Sequence, residues 1–182
     1  PLGRPVGRAD GRPVGQFSSE DVSGPLGVSY GYGTNWVDMS LIADIVPNPE
    51  SHTFVQTRDR STKLGRAWRI RPDSPDHYND ARLRSAVMPS TNGHGNARAV
   101  ARIFAVLAGG GSLDGVNLVP AATIERKRKE SWFGTCAMTD RHDREGPGFL
   151  LREQLQPTMG GNTGPSGEPR GGGRVGVHGR EE

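Results

Sequence analysis

The sequence has few cysteines and aromatic residues, and it lacks any long apolar run. Its single cysteine, Cys136, excludes an internal disulfide bond and fits a reducing compartment, which favours a cytoplasmic location. Aromatic residues make up 6% and hydrophobic residues 32% of the 182 residues, so core-forming side chains are scarce for this length. No apolar run approaches the roughly 18 residues that would mark a membrane-spanning helix, so no membrane partner is expected.

Lysine is also scarce. Lys63, Lys127 and Lys129 are the only lysines among 23 basic residues, against 20 acidic ones, and the formal net charge is +3. We interpret the arginine bias as a sign of genome composition, so a nucleic acid is not the expected partner. Four consecutive basic residues at positions 126–129 would go all round a helix instead of forming one face. They are interpreted as a solvated surface, with a phosphate-binding patch as the alternative.

One segment, residues 88–111, carries local signals that agree with one another. Asn96 can act as an N-cap, because its side chain can accept from the first free amide groups of a helix. Three glycines at positions 109–111 would end that helix. Between these ends, four apolar residues follow at helical spacing, which places them on one face: Val100, Ile103, Phe104 and Leu107. The pattern predicts a helix with this apolar face packed against the rest of the chain.

Weaker signals predict the other elements. Helical spacing or helix boundaries occur over residues 16–27, 35–46, 81–87 and 120–130, and strands or turns are predicted at residues 30–33, 132–138 and 146–151. Asp114-Gly115 indicates a tight turn between short apolar runs. Pro5 and Gly7 fit poorly inside a helix, so a helix at the start of the chain is expected to be frayed or absent.

Two regions look unlike a packed domain. Residues 156–182 contain almost nothing to bury and are expected to form a disordered Gly/Pro/Arg-rich tail, while residues 1–155 are expected to form a partial domain. In a polar loop before residue 80, His52, Asp76 and His77 have no recognised zinc spacing. No metal and no other cofactor is therefore predicted. Periodicity alone gives a helix-rich α+β fold with a disordered tail.

The central segment resembles a known family. Its residues GHGNARAVAR, from Gly93 to Arg102, with the three glycines and Leu113-Asp114-Gly115-Val116 that follow, are similar to the β-lactamase-related serine hydrolases, which include class C β-lactamases, penicillin-binding proteins and esterase-like enzymes. The esterase-like branch is the nearest. The likeness extends to residues 15–32 and 41–47, and more loosely to residues 134–151. It implies an incomplete β-lactamase-like fold, with a helical subdomain and part of an antiparallel sheet.

The resemblance implies an acyl-enzyme reaction on a small-molecule ester or β-lactam, carried by a serine in Ser-x-x-Lys and assisted by a tyrosine. Neither motif is present: no lysine has a serine three positions before it, and no tyrosine is followed two residues later by asparagine or serine. In the family's order both motifs would precede Pro1. A third element, Lys-Thr-Gly or His-x-Gly, is expected after Leu151, where His178 is the only histidine. No catalytic residue is predicted in this chain.

The candidate substrate-pocket residues are Asn92, Gly93 and His94. The resemblance puts their turn beside the cleft, where His94 would line the pocket, and the alternative for His94 is local capping or packing. The chain is interpreted as a C-terminal fragment of such an enzyme, inactive as given. Two alternatives stay open: a non-catalytic module that binds RNA or another polyanion, and a truncated product without function. The oligomeric state is not indicated.

Overall fold

The computed structural model describes residues 3–35, 37–46, 57–67, 78–138, 142–151, 166–170 and 174–178, with the backbone alone for residue 3 and the last two ranges. The chain divides into two units: Pro1–Pro47 with Pro72–Ile103, and Asn48–Arg71 with Phe104–Glu182. The helices are α1 (Gly3–Asp10), α2 (Val14–Ser18), α3 (Gly24–Leu26), α4 (Lys63–Ala67), α5 (Ala81–Ser85), α6 (Ala97–Ala108) and α7 (Ala121–Arg128). The strands are β1 (Tyr30–Tyr32), β2 (Gly93–Gly95), β3 (Ser112–Leu113), β4 (Val116–Asn117), β5 (Trp132–Thr135), β6 (His142–Gly146), β7 (Phe149–Leu151), β8 (Ser166–Arg170) and β9 (Arg174–His178).

The first helix is present, so the expectation of a frayed or absent helix is wrong. Pro5 lies in the first turn of α1, where its missing N–H would have no partner inside the helix. Gly11 then ends the helix: its amide donates to the Gly7 carbonyl at 3.0 Å and its φ is +89°. The following helices α2 and α3 are joined by a π-helical turn, Ser19–Ser23, which the sequence pattern did not indicate.

Arg12 forms ion pairs with the end of α1 and with the π-helical turn. Its Nε and Nη2 donate to the two carboxylate oxygens of Asp10 at 2.5 and 2.8 Å, and its Nη1 donates to Glu20 at 2.7 Å. Asp21 also accepts from Nη2, at 2.5 Å. The hydrogen bond from Arg12 holds the pKa of Asp10 below its ordinary value, and hydrogen bonds from Gln16 and then Arg12 do the same for the pKa of Glu20. This ion cluster fixes the start of the chain to the π-helical turn.

The helix predicted over residues 35–46 is wrong for the residues that the structure describes. Only Met39–Leu41 forms a turn, of 3-10 type, begun by Asp38, whose side chain accepts from the Ser40 amide. The chain is extended at Ile42. The side chain of Asn79 accepts from the Ile45 amide at 2.8 Å and donates to the Ile45 carbonyl at 3.0 Å. Side-chain bonds to the backbone therefore compete successfully with the helix here.

The central helix α6 confirms the strongest prediction. Asn96 caps it, because its Oδ1 accepts from the Ala99 amide at 2.8 Å. At the other end, Gly111 N donates to Val106 O at 2.7 Å and Gly110 N to Leu107 O at 3.3 Å, with positive φ at both glycines, which is a Schellman motif. The buried face differs from the predicted one. Its most buried residues are Ala99 and Val106, whereas Val100, Ile103, Phe104 and Leu107 are half-buried.

In the second unit, α7 and two antiparallel sheets follow α6. The hairpin β3–β4 turns at Asp114 and Gly115, both with positive φ, as the predicted tight turn requires. Ile124 of α7 is 1% exposed. The larger sheet has the order β5-β6-β7-β8-β9 and is antiparallel throughout. It confirms the predicted strands near residues 132–138 and 146–151.

Within residues 156–182, where disorder is expected from composition, the described residues are the backbones of β8 and β9, which pair as a hairpin. The rest of this segment lies outside the described residues. Backbone pairing of this kind does not need apolar side chains, so composition alone does not indicate it. Across the described ranges, no helix has the length and apolar character needed to cross a membrane.

Candidate functional site

The Gly-His-Gly turn predicted to lie near a cleft is a strand, β2, paired antiparallel with β1. Tyr30 faces Gly95, Gly31 faces His94, and Tyr32 faces Gly93. Because directly paired residues project to the same face, Tyr30 and Tyr32 share one face with the two glycines. His94 projects to the opposite face, opposite Gly31, which has no side chain.

The two glycines of β2 are required by the ring of Tyr30. A Cβ on Gly95 would lie 2.6 Å from Tyr30 Cδ2 and 2.9 Å from the Ser29 carbonyl oxygen, and a Cβ on Gly93 would overlap the Tyr30 hydroxyl. Tyr30 and Tyr32 also contact each other edge to face, with ring centroids 5.8 Å apart. The aromatic–glycine alternation near residue 30 was a signal of packing, but it did not reveal that the partners are the glycines around His94.

His94 has a partly exposed side chain with one buried end. Its Nε2 is buried and has no hydrogen-bond partner among the described residues. A buried ring nitrogen of this kind costs free energy until a donor or an acceptor reaches it. His94 is also two residues before the N-cap of α6, so a polar ligand at this point would lie near a helix N-terminus.

Asn92, the first of the three candidate residues, is buried, with 6% of its surface exposed. Its Oδ1 accepts from the Met88 amide at 2.9 Å, and its Nδ2 donates to the carbonyls of Leu83, at 2.8 Å, and Ala86. The side chain therefore closes the loop between α5 and β2. Asn92 would therefore act on a site indirectly, by fixing the backbone just before Gly93 and His94.

The structure describes only some of the other sequence candidates. Cys136 is half-buried after β5 in the second unit. His52, Asp76 and His77 lie outside the described residues, and the side chain of His178 is not described. Among the described side chains, no group of three or more His, Cys, Asp or Glu residues is arranged to hold a metal ion.

The basic segment at residues 126–129 is exposed at Arg126 and Lys129 and half-buried at Lys127 and Arg128. Arg126 donates to Thr123 at 3.0 Å. Lys127 donates to the Pro147 carbonyl at 3.3 Å, and its ammonium lies 4.9 Å from the centre of the Phe149 ring. Three of the four cations, Arg128 among them, have partners within the chain.

Comparison with known proteins gives solved structures but no sequence family. No family model matches the chain, and no curated protein matches it. A family VIII carboxylesterase is 26% identical, with a TM-score of 0.79 over 97% of this chain and 46% of that chain. A penicillin-binding protein homologue from Caulobacter crescentus is 27% identical, with a TM-score of 0.72 over 91% of this chain and 43% of that chain.

A third solved structure extends the likeness in fold alone. EstA from Arthrobacter nitroguajacolicus Rue61a is 19% identical, with a TM-score of 0.65 over 96% of this chain and 45% of that chain. The chain therefore spans less than half the length of each of these three proteins.

Proposed function

Since the chain has part of the β-lactamase-like fold of serine hydrolases, we propose that it is the carboxyl-terminal portion of such an enzyme. In its intact form the enzyme would act on a small-molecule ester or β-lactam through an acylated serine. The match of nearly the whole chain to less than half of a family VIII carboxylesterase carries the proposal. The nucleophilic serine and its lysine would come from outside this sequence, because no lysine in it completes Ser-x-x-Lys.

In this proposal residues 1–155 supply a partial domain and residues 156–182 its tail. Asn92, Gly93 and His94 form part of the pocket wall, with Asn92 as a positioning residue and the Nε2 of His94 as the polar group offered to the substrate. The unpartnered, buried Nε2 supports this role for His94. The polyanion-binding module and the non-functional truncated product stay alternatives.

The chain by itself is expected to form no acyl-enzyme, because it has no activated serine. Purified chain is incubated with a fluorescent penicillin and with p-nitrophenyl butyrate, and its intact mass is then measured. The expected result is an unchanged mass and no hydrolysis above that of the heat-unfolded chain. Cys136→Ser serves as the control for acylation of the thiol. A stoichiometric adduct on a serine of the folded chain would contradict the proposal.

The pocket role of His94 is tested in the chain joined to the in-frame codons that precede it in the genome. Those codons are expected to supply Ser-x-x-Lys and to give esterase activity. In that protein His94→Ala is expected to raise KM about tenfold, because it removes one hydrogen bond worth about 1.4 kcal/mol. His94→Gln keeps a polar group and is expected to raise KM by less. His142→Ala, at an exposed position of β6, is the matched control. An unchanged KM in His94→Ala would assign His94 to local packing.

A further inference from the structure

Three arginines, Arg12, Arg84 and Arg128, differ in the acceptors at the side of the guanidinium that carries Nε and Nη2. Arg12 offers its Nε and Nη2 to the two oxygens of the Asp10 carboxylate. Arg84 is 7% exposed, and both of the same nitrogens have acceptors: Nε donates to the Tyr78 carbonyl, and Nη2 donates to Asp44 at 2.8 Å and to Asn79 at 2.9 Å. In both residues the edge formed by Nε and Nη2 is fully used.

Arg128 differs at this same edge. Its Nε and Nη2 are both buried, and neither has a hydrogen-bond acceptor among the described residues. Its third nitrogen, Nη1, lies 3.6 Å from the Glu125 carboxylate, which is more than half exposed. The charge of Arg128 is thus partly balanced at Nη1, while the buried Nε and Nη2, which could form a paired bond, have no acceptor among the described residues.

The position of Arg128 on α7 explains why this edge is buried. Arg128 follows Ile124 by four residues, so the two side chains lie on the same face of the helix, and Ile124 is 1% exposed. The end of α7 is also close to the sheet, because a Cβ on Gly146 would lie 3.0 Å from the Lys129 carbonyl oxygen. A guanidinium stays charged in proteins, so it cannot avoid the cost of burial by losing a proton.

We propose that the Nε–Nη2 edge of Arg128 is a binding site for a carboxylate. The N–H groups on this edge are parallel and match the two oxygens of a planar carboxylate, as Arg12 and Asp10 show within the same chain. The carboxylate is either a small free acid or a carboxylate side chain of the protein portion outside this sequence. The site is in a different unit from His94 and does not depend on the proposed hydrolase activity.

The first test compares thermal unfolding of the wild type, Arg128→Met and Arg126→Met in sodium chloride. Methionine keeps the length of the side chain and removes the unpartnered donors, so Arg128→Met is expected to unfold at the same temperature as the wild type or higher. Arg126→Met, in the exposed part of the same segment, is the matched control for loss of charge. An unfolding temperature lowered by several degrees in Arg128→Met alone would overturn the proposal, because the edge would then already have its acceptor.

The second test replaces sodium chloride with sodium acetate at constant ionic strength. A rise of about 2 °C or more in the wild type that is absent in Arg128→Met assigns the site to free carboxylates. An equal response of the two proteins excludes a free carboxylate. The same comparison is then made in the longer protein that includes the preceding in-frame codons, where Arg128→Met is expected to unfold at a lower temperature than the wild type if a carboxylate side chain is the acceptor; equal unfolding temperatures there would overturn the proposal.

A measurement that does not depend on stability is the ¹H–¹⁵N resonance of the Arg128 Nε–H group, identified by its absence in Arg128→Lys. For a free carboxylate it is expected to shift with acetate and not with chloride. For a carboxylate supplied by the protein portion outside this sequence, it is expected to differ between this chain and the longer protein and to shift with neither salt. Rapid exchange with water in both salts would show an edge open to solvent and overturn the proposal.

Discussion

Gly111→Ala is expected to lower the free energy of unfolding by about 3 kcal/mol or more, from overpacking and from a strained backbone together. Gly111 has a φ of +109°, which side chains rarely adopt, and a Cβ there would overlap the carbonyl oxygen of Val119. That carbonyl cannot move away easily, because Leu118 N and Val119 N both donate to the Gly111 carbonyl, at 3.0 and 3.1 Å. Chemical denaturation of the variant and the wild type gives the difference.

Gly115→Ala is the matched control for Gly111→Ala. Gly115 also has a positive φ, of +82°, but no atom lies within 4 Å of the position of its Cβ. This variant places alanine at a positive φ but creates no steric overlap, so its free energy of unfolding is expected to fall by about 1 kcal/mol. Equal losses in the two variants would show that the Val119 carbonyl does not lie this close to Gly111 in solution.

Asn92→Asp is expected to lower the free energy of unfolding by about 3 kcal/mol at neutral pH, because a buried carboxylate would face two carbonyl oxygens that now accept from Nδ2. These are the carbonyls of Leu83 and Ala86. Burial beside acceptors would raise the pKa of the introduced carboxyl above its unfolded value. The loss is therefore full above the raised pKa and becomes smaller as the pH falls towards the unfolded value near 4.

Asn92→Ala separates the loss of the hydrogen bonds from the effect of the charge. It removes the hydrogen bonds of Asn92 to the Met88 amide and to the Ala86 and Leu83 carbonyls, of which Leu83 keeps the bond from the Ala86 amide, and it is expected to cost about 2 kcal/mol at any pH between 4 and 8. Urea denaturation at pH 4 and pH 7 measures both variants. If Asn92→Asp were as stable as the wild type at pH 7, the loop between α5 and β2 would not depend on the side chain of Asn92.

Much of the fold could be predicted where the deciding residues are close in sequence. The cap at Asn96, the glycines after Ala108 and the turn at Asp114-Gly115 each act within a few residues, and all three predictions are confirmed. Residues 35–46 show the limit of this approach. Their helical spacing is outweighed by Asn79, which binds Ile45 from a distance of 34 positions.

The candidate site shows the same limit. The sequence indicates that Gly93-His94-Gly95 is a polar turn, but the pairing with Tyr30 joins segments more than 60 residues apart. Likewise, four basic residues in a row do not show that Lys127 contacts Phe149 or that one edge of Arg128 is buried. Such facts depend on packing between distant elements, which short-range patterns do not encode.

The ring of Tyr30 lying across Gly93 and Gly95 has a consequence for the evolutionary history of this segment. A methyl group on Gly93 would meet the hydroxyl end of Tyr30, and one on Gly95 would meet both the Tyr30 ring and the Ser29 carbonyl. In homologous genes, a side chain gained at the Gly93 codon should therefore be accompanied by a smaller residue at the Tyr30 codon, whereas the Gly95 codon should stay glycine because the Ser29 backbone carbonyl also blocks a Cβ there. Gly93 and Tyr30 are expected to covary, and Gly95 is expected to be invariant.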